Sequence, residues 1–208
     1  MADANQETSH VADYAAEFAR DFFEAGIVKF GSFTLKSGMV SPIYLDLRRL
    51  ITHPVILRRA AQAYARVLSG LVFDRIAGLP YAALPIGTAI ALEMNRPLIY
   101  PRREVKDYGT KAAIEGDFNA GETAVVIDDL ATTGGTKIEA IQKLEGAGLK
   151  VTDIVVLVDR EQGAKEMLAE AGYTMHAVAT LRELLPLWRA SGAITGNQYD
   201  EVLSFLTR

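Results

Sequence analysis

Two adjacent carboxylates close an apolar run and are followed at once by small, hydroxylated residues and glycines: Val125-Val126-Ile127-Asp128-Asp129-Leu130-Ala131-Thr132-Thr133-Gly134-Gly135-Thr136. Each part has a chemical use. Glycines let the backbone approach a ligand and take up positive φ. Helix N-terminal amides, joined by the hydroxyls of Thr132, Thr133 and Thr136, suit a phosphate. The two acids cannot also face that phosphate, but they can accept hydrogen bonds from vicinal hydroxyls such as those of a ribose. The residues therefore point to a site for a phosphorylated sugar. An ordinary strand-to-helix turn with capping threonines would leave the acidic pair without a purpose.

Other phosphate motifs do not fit. A Walker A loop carries its lysine directly before Ser or Thr, whereas Lys137 follows Thr136 and precedes Ile138. Gly146-Ala147-Gly148 leads from a helix into a strand, the wrong context for a dinucleotide fingerprint. The chain has no cysteine, which excludes disulfides, thiolate zinc sites, iron–sulfur clusters and a cysteine nucleophile. His10, His53 and His176 are far apart and form no ligand motif, so two are read as surface residues and one as part of a strand. A net charge of −4 argues against a nucleic-acid partner or an anionic membrane surface, while allowing a small basic pocket.

The elements that must carry these residues alternate. Val11, Tyr14, Ala15, Phe18 and Phe22 share one helical face, with Ser9 expected as N-cap and Gly26 as the stop. Short β-like pieces follow over 27–47, then a helix from Pro54 to about Ser69. Strands are expected at 75–79, 98–100, 123–127, 154–158 and 175–178, and helices at 87–95, 136–146 and 164–171. Thr195-Gly196-Asn197-Gln198 has the capping-box pattern of a last helix. Uncharged strands alternating with helices predict an α/β fold, a parallel sheet flanked by helices, with ligands bound beyond the strands' carboxyl ends. The charged stretch 102–117 has no period and reads as a functional loop. At 208 residues one domain is expected. The N-terminus lacks the pattern of a secretory signal, and the uncharged stretch 76–92, broken by Pro80 and Pro85, is too short to span a bilayer. A cytoplasmic location is expected.

Residues 128–136 resemble the 5-phosphoribosyl-1-diphosphate (PRPP) motif of type I phosphoribosyltransferases. Three further segments narrow the resemblance to the orotate phosphoribosyltransferase family: Phe33-Thr34-Leu35-Lys36-Ser37-Gly38 with Ser41-Pro42-Ile43-Tyr44; Arg102-Arg103-Glu104-Val105-Lys106-Asp107-Tyr108-Gly109; and Val158-Asp159-Arg160-Glu161-Gln162-Gly163. They keep the family's order and spacing across about 30–165.

The resemblance implies the type I phosphoribosyltransferase fold, with a small N-terminal hood over about 1–50 and a core over about 51–208. It implies that orotate and PRPP give orotidine 5′-monophosphate and pyrophosphate, with Mg²⁺ bound mainly through PRPP and not held directly by the protein. By the same resemblance Asp128 and Asp129 hold the ribose hydroxyls, and the turn from Leu130 and Ala131 through Thr132, Thr133, Gly134, Gly135 and Thr136 cradles the 5′-phosphate. Lys36 contacts PRPP, and Tyr81 and Ala82 lie in the turn at the pyrophosphate. Arg102, Arg103, Lys106 and Tyr108 belong to a mobile loop, with Lys106 and Arg102 as the catalytic pair that stabilises the leaving group. Tyr44 and Leu45 pack on the pyrimidine, Arg160 grips the orotate carboxylate, and Thr132 also lies near the base.

Three positions depart from the family pattern. Arg103 stands where many relatives carry lysine, Ala82 where many bacterial members have a lysine, and Tyr108 where histidine is common. The resemblance also implies de novo UMP synthesis and a homodimer whose loop serves the neighbouring subunit. Because the sequence ends at Arg208, no fused decarboxylase domain is expected. Two alternatives remain open: a transferase for another base, and a non-catalytic nucleotide-sensing regulator of the same fold.

Overall fold

A computed structural model describes residues 3–35, 38–103 and 113–207, with side chains described from residue 14 onward. The chain gathers into two compact units: residues 1–53 with 179–208, and residues 54–178. The C-terminal segment thus groups with the N-terminal one, where the sequence assigned it to the core.

The first unit holds helix α1 (Asp3–Glu24), strands β1 (Val28–Thr34) and β2 (Val40–Leu45), a 3-10 turn (Leu47–Thr52), and helices α6 (Leu181–Ala190) and α7 (Gly196–Leu206). Helix α1 begins at Asp3, so Ser9 lies inside it and not at its N-cap. Ala15, Phe18, Ala19 and Phe22 recur at helical spacing and are buried, and Gly26 ends the helix at φ +64°. Against them packs Trp188, whose indole N–H donates to the Ala19 carbonyl at 2.7 Å and whose ring meets Phe30 edge-on at 5.4 Å. Strands β1 and β2 pair antiparallel with a register shift between Phe30 and Phe33.

The second unit runs α2 (Pro54–Leu68), β3 (Arg75–Gly78), α3 (Ala83–Met94), β4 (Leu98–Pro101), β5 (Ile114–Glu115), β6 (Thr123–Ala131), α4 (Gly135–Gly146), β7 (Lys150–Asp159), α5 (Ala164–Glu170) and β8 (Thr174–Thr180). Its sheet has the order β5-β4-β3-β6-β7-β8, with β3 parallel to β4 and β6, and β6 parallel to β7. Consecutive residues Ala124, Val125, Val126 and Ile127 are all buried, as expected of a strand covered on both faces. Ala124 and Val126 join Ile141 and Leu144 of α4 and Leu168 of α5 in one apolar cluster, while α3 packs on β3 and β6.

Several boundaries differ from expectation: β7, expected at 154–158, runs Lys150–Asp159, and two others differ for packing reasons. Helix α3 starts at Ala83, not at Gly87. Pro85 fits its first turn, where a backbone N–H has no intrahelical partner. Gly87 lies within the helix because a Cβ there would come within 3.1 Å of Leu98 Cδ1. Strand β6 does not stop at Ile127 but continues to Ala131, since β7 pairs with it as far as Ala131↔Asp159. No helix among the described residues is long and apolar enough to cross a membrane.

Helix α6 was not expected. Pro186 lies inside it, but Leu181, Leu184, Leu185 and Trp188 are buried at helical spacing. Its start carries a full capping box: Thr180 Oγ1 accepts from the Glu183 amide at 3.2 Å, and Glu183 Oε2 accepts from the Thr180 amide at 2.7 Å. Thr180→Ala should lower unfolding free energy by about 1 kcal/mol, measured by urea denaturation; an unchanged midpoint would deny the cap its role.

Candidate functional site

Because β3, β4, β6 and β7 run parallel, their carboxyl ends open on one edge of the sheet. Four expected segments follow those ends: Pro80, Tyr81 and Ala82 after β3, Arg102 and Arg103 after β4, the turn 132–134 after β6, and Arg160 after β7. Residues separated by up to 80 positions in sequence are thereby aligned by strand direction alone.

The acidic pair is the last charged feature of β6, and both residues are half-buried. Asp128 Oδ2 accepts from Lys137 Nζ at 2.6 Å, and the same ammonium donates to the Leu130 carbonyl at 2.7 Å. The Tyr64 hydroxyl of α2 donates to the Asp128 backbone carbonyl at 2.6 Å. Burial, with Asp129 and Asp128 nearby, holds the Tyr64 phenol well above its ordinary pKa and so in its donating form. Asp129 Oδ1 accepts from the Leu130 amide at 2.9 Å. Burial and then the Asp128 carboxylate push the Asp129 carboxyl up to about 7, against the opposing pull of Lys137.

The turn that follows enters α4 through Gly134 at φ +83°, a conformation that favours glycine. A Cβ there would also lie 3.3 Å from the Ala164 carbonyl, so the turn is held close against α5. Thr133 and Thr136 are exposed and Thr132 is half-buried. The amides of Gly135 and Thr136 open the helix, where backbone donors lack intrahelical acceptors. This is the geometry of an anion cradle.

Arg160 is only 4% exposed, which overturns any reading of it as a solvated surface charge. Its amide donates to the Ala131 carbonyl at 3.0 Å, fixing it beside the end of β6. Burial lowers its pKa from the ordinary arginine value. Asp159, before it, accepts from the Glu161 amide at 2.8 Å and is raised by burial.

Arg102 forms an ion pair with Glu115 of β5, and its amide donates to the Ala113 carbonyl at 2.8 Å. The Arg103 guanidinium lies over the Tyr81 ring, 5.5 Å from its centroid. Tyr81 is 63% exposed and follows a cis peptide bond after Pro80; Ala82 is the N-cap of α3. Lys36, Lys106 and Tyr108 lie outside the described residues. Tyr44 and Leu45 belong to the first unit. There the Tyr44 ring lies 5.5 Å from that of Phe33 and its hydroxyl accepts from Arg48 at 2.9 Å, while Leu45 is buried. Among the described residues no group of three or more His, Cys, Asp or Glu is placed to hold a metal ion. His176 instead pairs with Asp153 at 2.7 Å.

The family described as the phosphoribosyl transferase domain matches residues 52–175. An orotate phosphoribosyltransferase of Pyrococcus furiosus is 39% identical over 81% of this chain and 93% of its own length. The chain belongs to the orotate phosphoribosyltransferase family. A solved UMP synthase of Leishmania donovani is similar with a TM-score of 0.87 and 57% identity, over 93% of this chain and 42% of that one. An orotate phosphoribosyltransferase of Mycobacterium tuberculosis, solved in complex with PRPP, has a TM-score of 0.68 and 26% identity, over 82% and 98%. The chain spans only 37–39% of the length of the bifunctional and uridine 5′-monophosphate synthase relatives it matches.

For an orotate phosphoribosyltransferase family member, two site neighbours went unread in the sequence. Lys137 and Tyr64 carry no motif of their own. The signal for Lys137 was its place in the first turn of a helix entered from an acidic strand end; nothing in the sequence pointed to Tyr64.

The Asp129 carboxyl titrates near 7 when folded against an ordinary 3.8, so the folded state holds an extra proton between those values. Stability from this group is therefore present at low pH and is lost as pH rises toward about 7. Asp129→Asn should gain urea resistance relative to the parent at about pH 8 and gain much less at about pH 5. A difference independent of pH would remove the shifted carboxyl.

Proposed function

We propose that the chain transfers the 5-phosphoribosyl group of PRPP to orotate, giving orotidine 5′-monophosphate and pyrophosphate in UMP biosynthesis. The observation that carries this reading is the sheet edge itself: an acidic pair ends one parallel strand, a glycine–threonine helix entry follows it, and a buried guanidinium follows the neighbouring strand. The names of the similar proteins, and the PRPP bound in one of them, support the same substrates.

In this reading the amides and hydroxyls of residues 132–136 take the 5′-phosphate, and the acidic pair takes the ribose hydroxyls. Sugar and phosphate then sit in one orientation, with the anomeric carbon directed away from the turn. Arg160 offers orotate's carboxylate a planar, two-pronged donor at a site stripped of water, where charge-assisted hydrogen bonds are strongest. The transition state resembles an oxocarbenium ion, and negative charge grows on the departing diphosphate. No covalent nucleophile is required. Arg102, Arg103 and Lys106 are the cations offered to that charge, with Lys36 and the turn at Tyr81 and Ala82 as further contacts. Arg102 exchanges one carboxylate, Glu115, for the more highly charged diphosphate. One such donor in a dry site contributes roughly 3–4 kcal/mol to the barrier. Tyr44 and Leu45 are the proposed pyrimidine contacts.

The described residues fit a Mg²⁺ that arrives on its substrate. They offer carboxylates at the ribose end and no cage of their own, which suits an ion that keeps several waters and binds through substrate phosphates. Bound there, it would screen the diphosphate charge. A homodimer that shares the loop, and a cytoplasmic location, belong to the same proposal and rest on the sequence reading.

Protein mixed with Mg²⁺ and PRPP should consume orotate, followed by ultraviolet absorbance, and leave uracil and hypoxanthine untouched. Turnover of either of those bases alone would move the assignment to another transferase. Arg160→Lys should raise the KM for orotate by roughly tenfold or more, the size of one lost charge-assisted hydrogen bond, while moving that for PRPP far less. Equal weakening of both would contradict a carboxylate clamp.

A further inference from the structure

Lys137 is a buried ionisable side chain that none of the steps above uses. It is 3% exposed, stands in the first turn of α4, and spends its ammonium on Asp128 at 2.6 Å and the Leu130 carbonyl at 2.7 Å. The titratable groups around it are Asp128 and Asp129 on β6 and Asp159 on β7, with Tyr64 of α2 bonded to the Asp128 backbone carbonyl. Burying a lysine costs roughly several kcal/mol of hydration, which only short, well-aimed partners return. An apolar residue would fill the space without that cost. It would also leave two neighbouring carboxylates facing each other, and both facing an incoming polyanion.

We infer that Lys137 is a positioning residue of the sugar site: it fixes the Asp128 carboxylate and balances its charge, so that Asp129 and the turn present one defined set of acceptors and donors to the ribose phosphate. The inference rests on the proposed transferase function and adds to it a residue that touches no substrate. Lys137 holds Asp128 by its carboxylate and Tyr64 holds it by its backbone carbonyl. Asp129 stands beside that pair, its pKa raised by burial and by Asp128 and lowered by Lys137.

The test compares steady-state kinetics of the parent, Lys137→Met and Lys137→Gln, with circular dichroism and thermal unfolding as folding controls. Lys137→Met should raise the KM for PRPP by roughly tenfold or more, about one lost charge-assisted hydrogen bond, with kcat and the KM for orotate changed much less. Lys137→Gln, which keeps a donor but removes the counter-charge, should raise the KM for PRPP by a similar factor. A merely structural lysine would lower the unfolding temperature and leave the KM for PRPP within about twofold of the parent, and that result overturns the inference while the transferase reading stands. If Lys137→Gln keeps the parent's KM for PRPP, charge balance is not what Lys137 supplies, and the inference also falls. Should Lys137→Met not fold, Lys137→Gln carries the test alone, and an unchanged KM for PRPP would refute positioning. A parent that consumes no orotate defeats the transferase reading first, and this inference with it.

Discussion

Two carboxylates on consecutive residues repel, and partial burial strengthens the repulsion by removing the water that would screen it. The end of β6 holds such a pair because Lys137 supplies a counter-charge at 2.6 Å. That one contact ties strand to helix across the turn between them. The turn is therefore closed from within: Lys137 also holds the Leu130 carbonyl, and Gly134 allows the backbone to reverse against α5. An anion cradle and an acidic pair occupy nine consecutive residues without sharing the same space.

The rest of the second unit serves to set other groups beside that turn. Parallel pairing makes every strand of β3, β4, β6 and β7 end on one edge, so cations after β4 and β7 share that edge with the acids at the end of β6 without any long-range loop design. The edge is asymmetric in charge. Asp128 and Asp129 occupy its centre, Arg160 lies next to them and buried, and Arg102 and Arg103 stand beyond β3 with partners in Glu115 and Tyr81. A substrate with a neutral diol in the middle and anions at its extremities matches that order.

Much of this was legible beforehand because it depends on local patterns. The uncharged run at 124–127, rich in β-branched residues, reads as a strand covered on both faces, and the change from acids to Thr and Gly announced a ligand turn. Helix α6 carries Pro186 inside a periodic apolar face, and its signal in the sequence is the Thr180–Glu183 cap. The starts of α1 and α3 were misplaced by reading Ser9 and Gly87 as local signals. Ser9 lies within a helix that starts earlier, and Gly87 answers to a close approach by Leu98.

By itself the sequence determined the α/β alternation, the position of the sugar-phosphate turn and the chemical types of its residues, since periodicity and residue chemistry act over a few positions. Tertiary structure alone decided that β6 runs on through both aspartates, because only the pairing with β7 continues it. It also decided that Arg160 is buried, that Arg102 is held by Glu115, and that Lys137 and Tyr64 share Asp128. Those facts depend on which strands and helices become neighbours, and a buried cation looks no different in sequence from a solvated one.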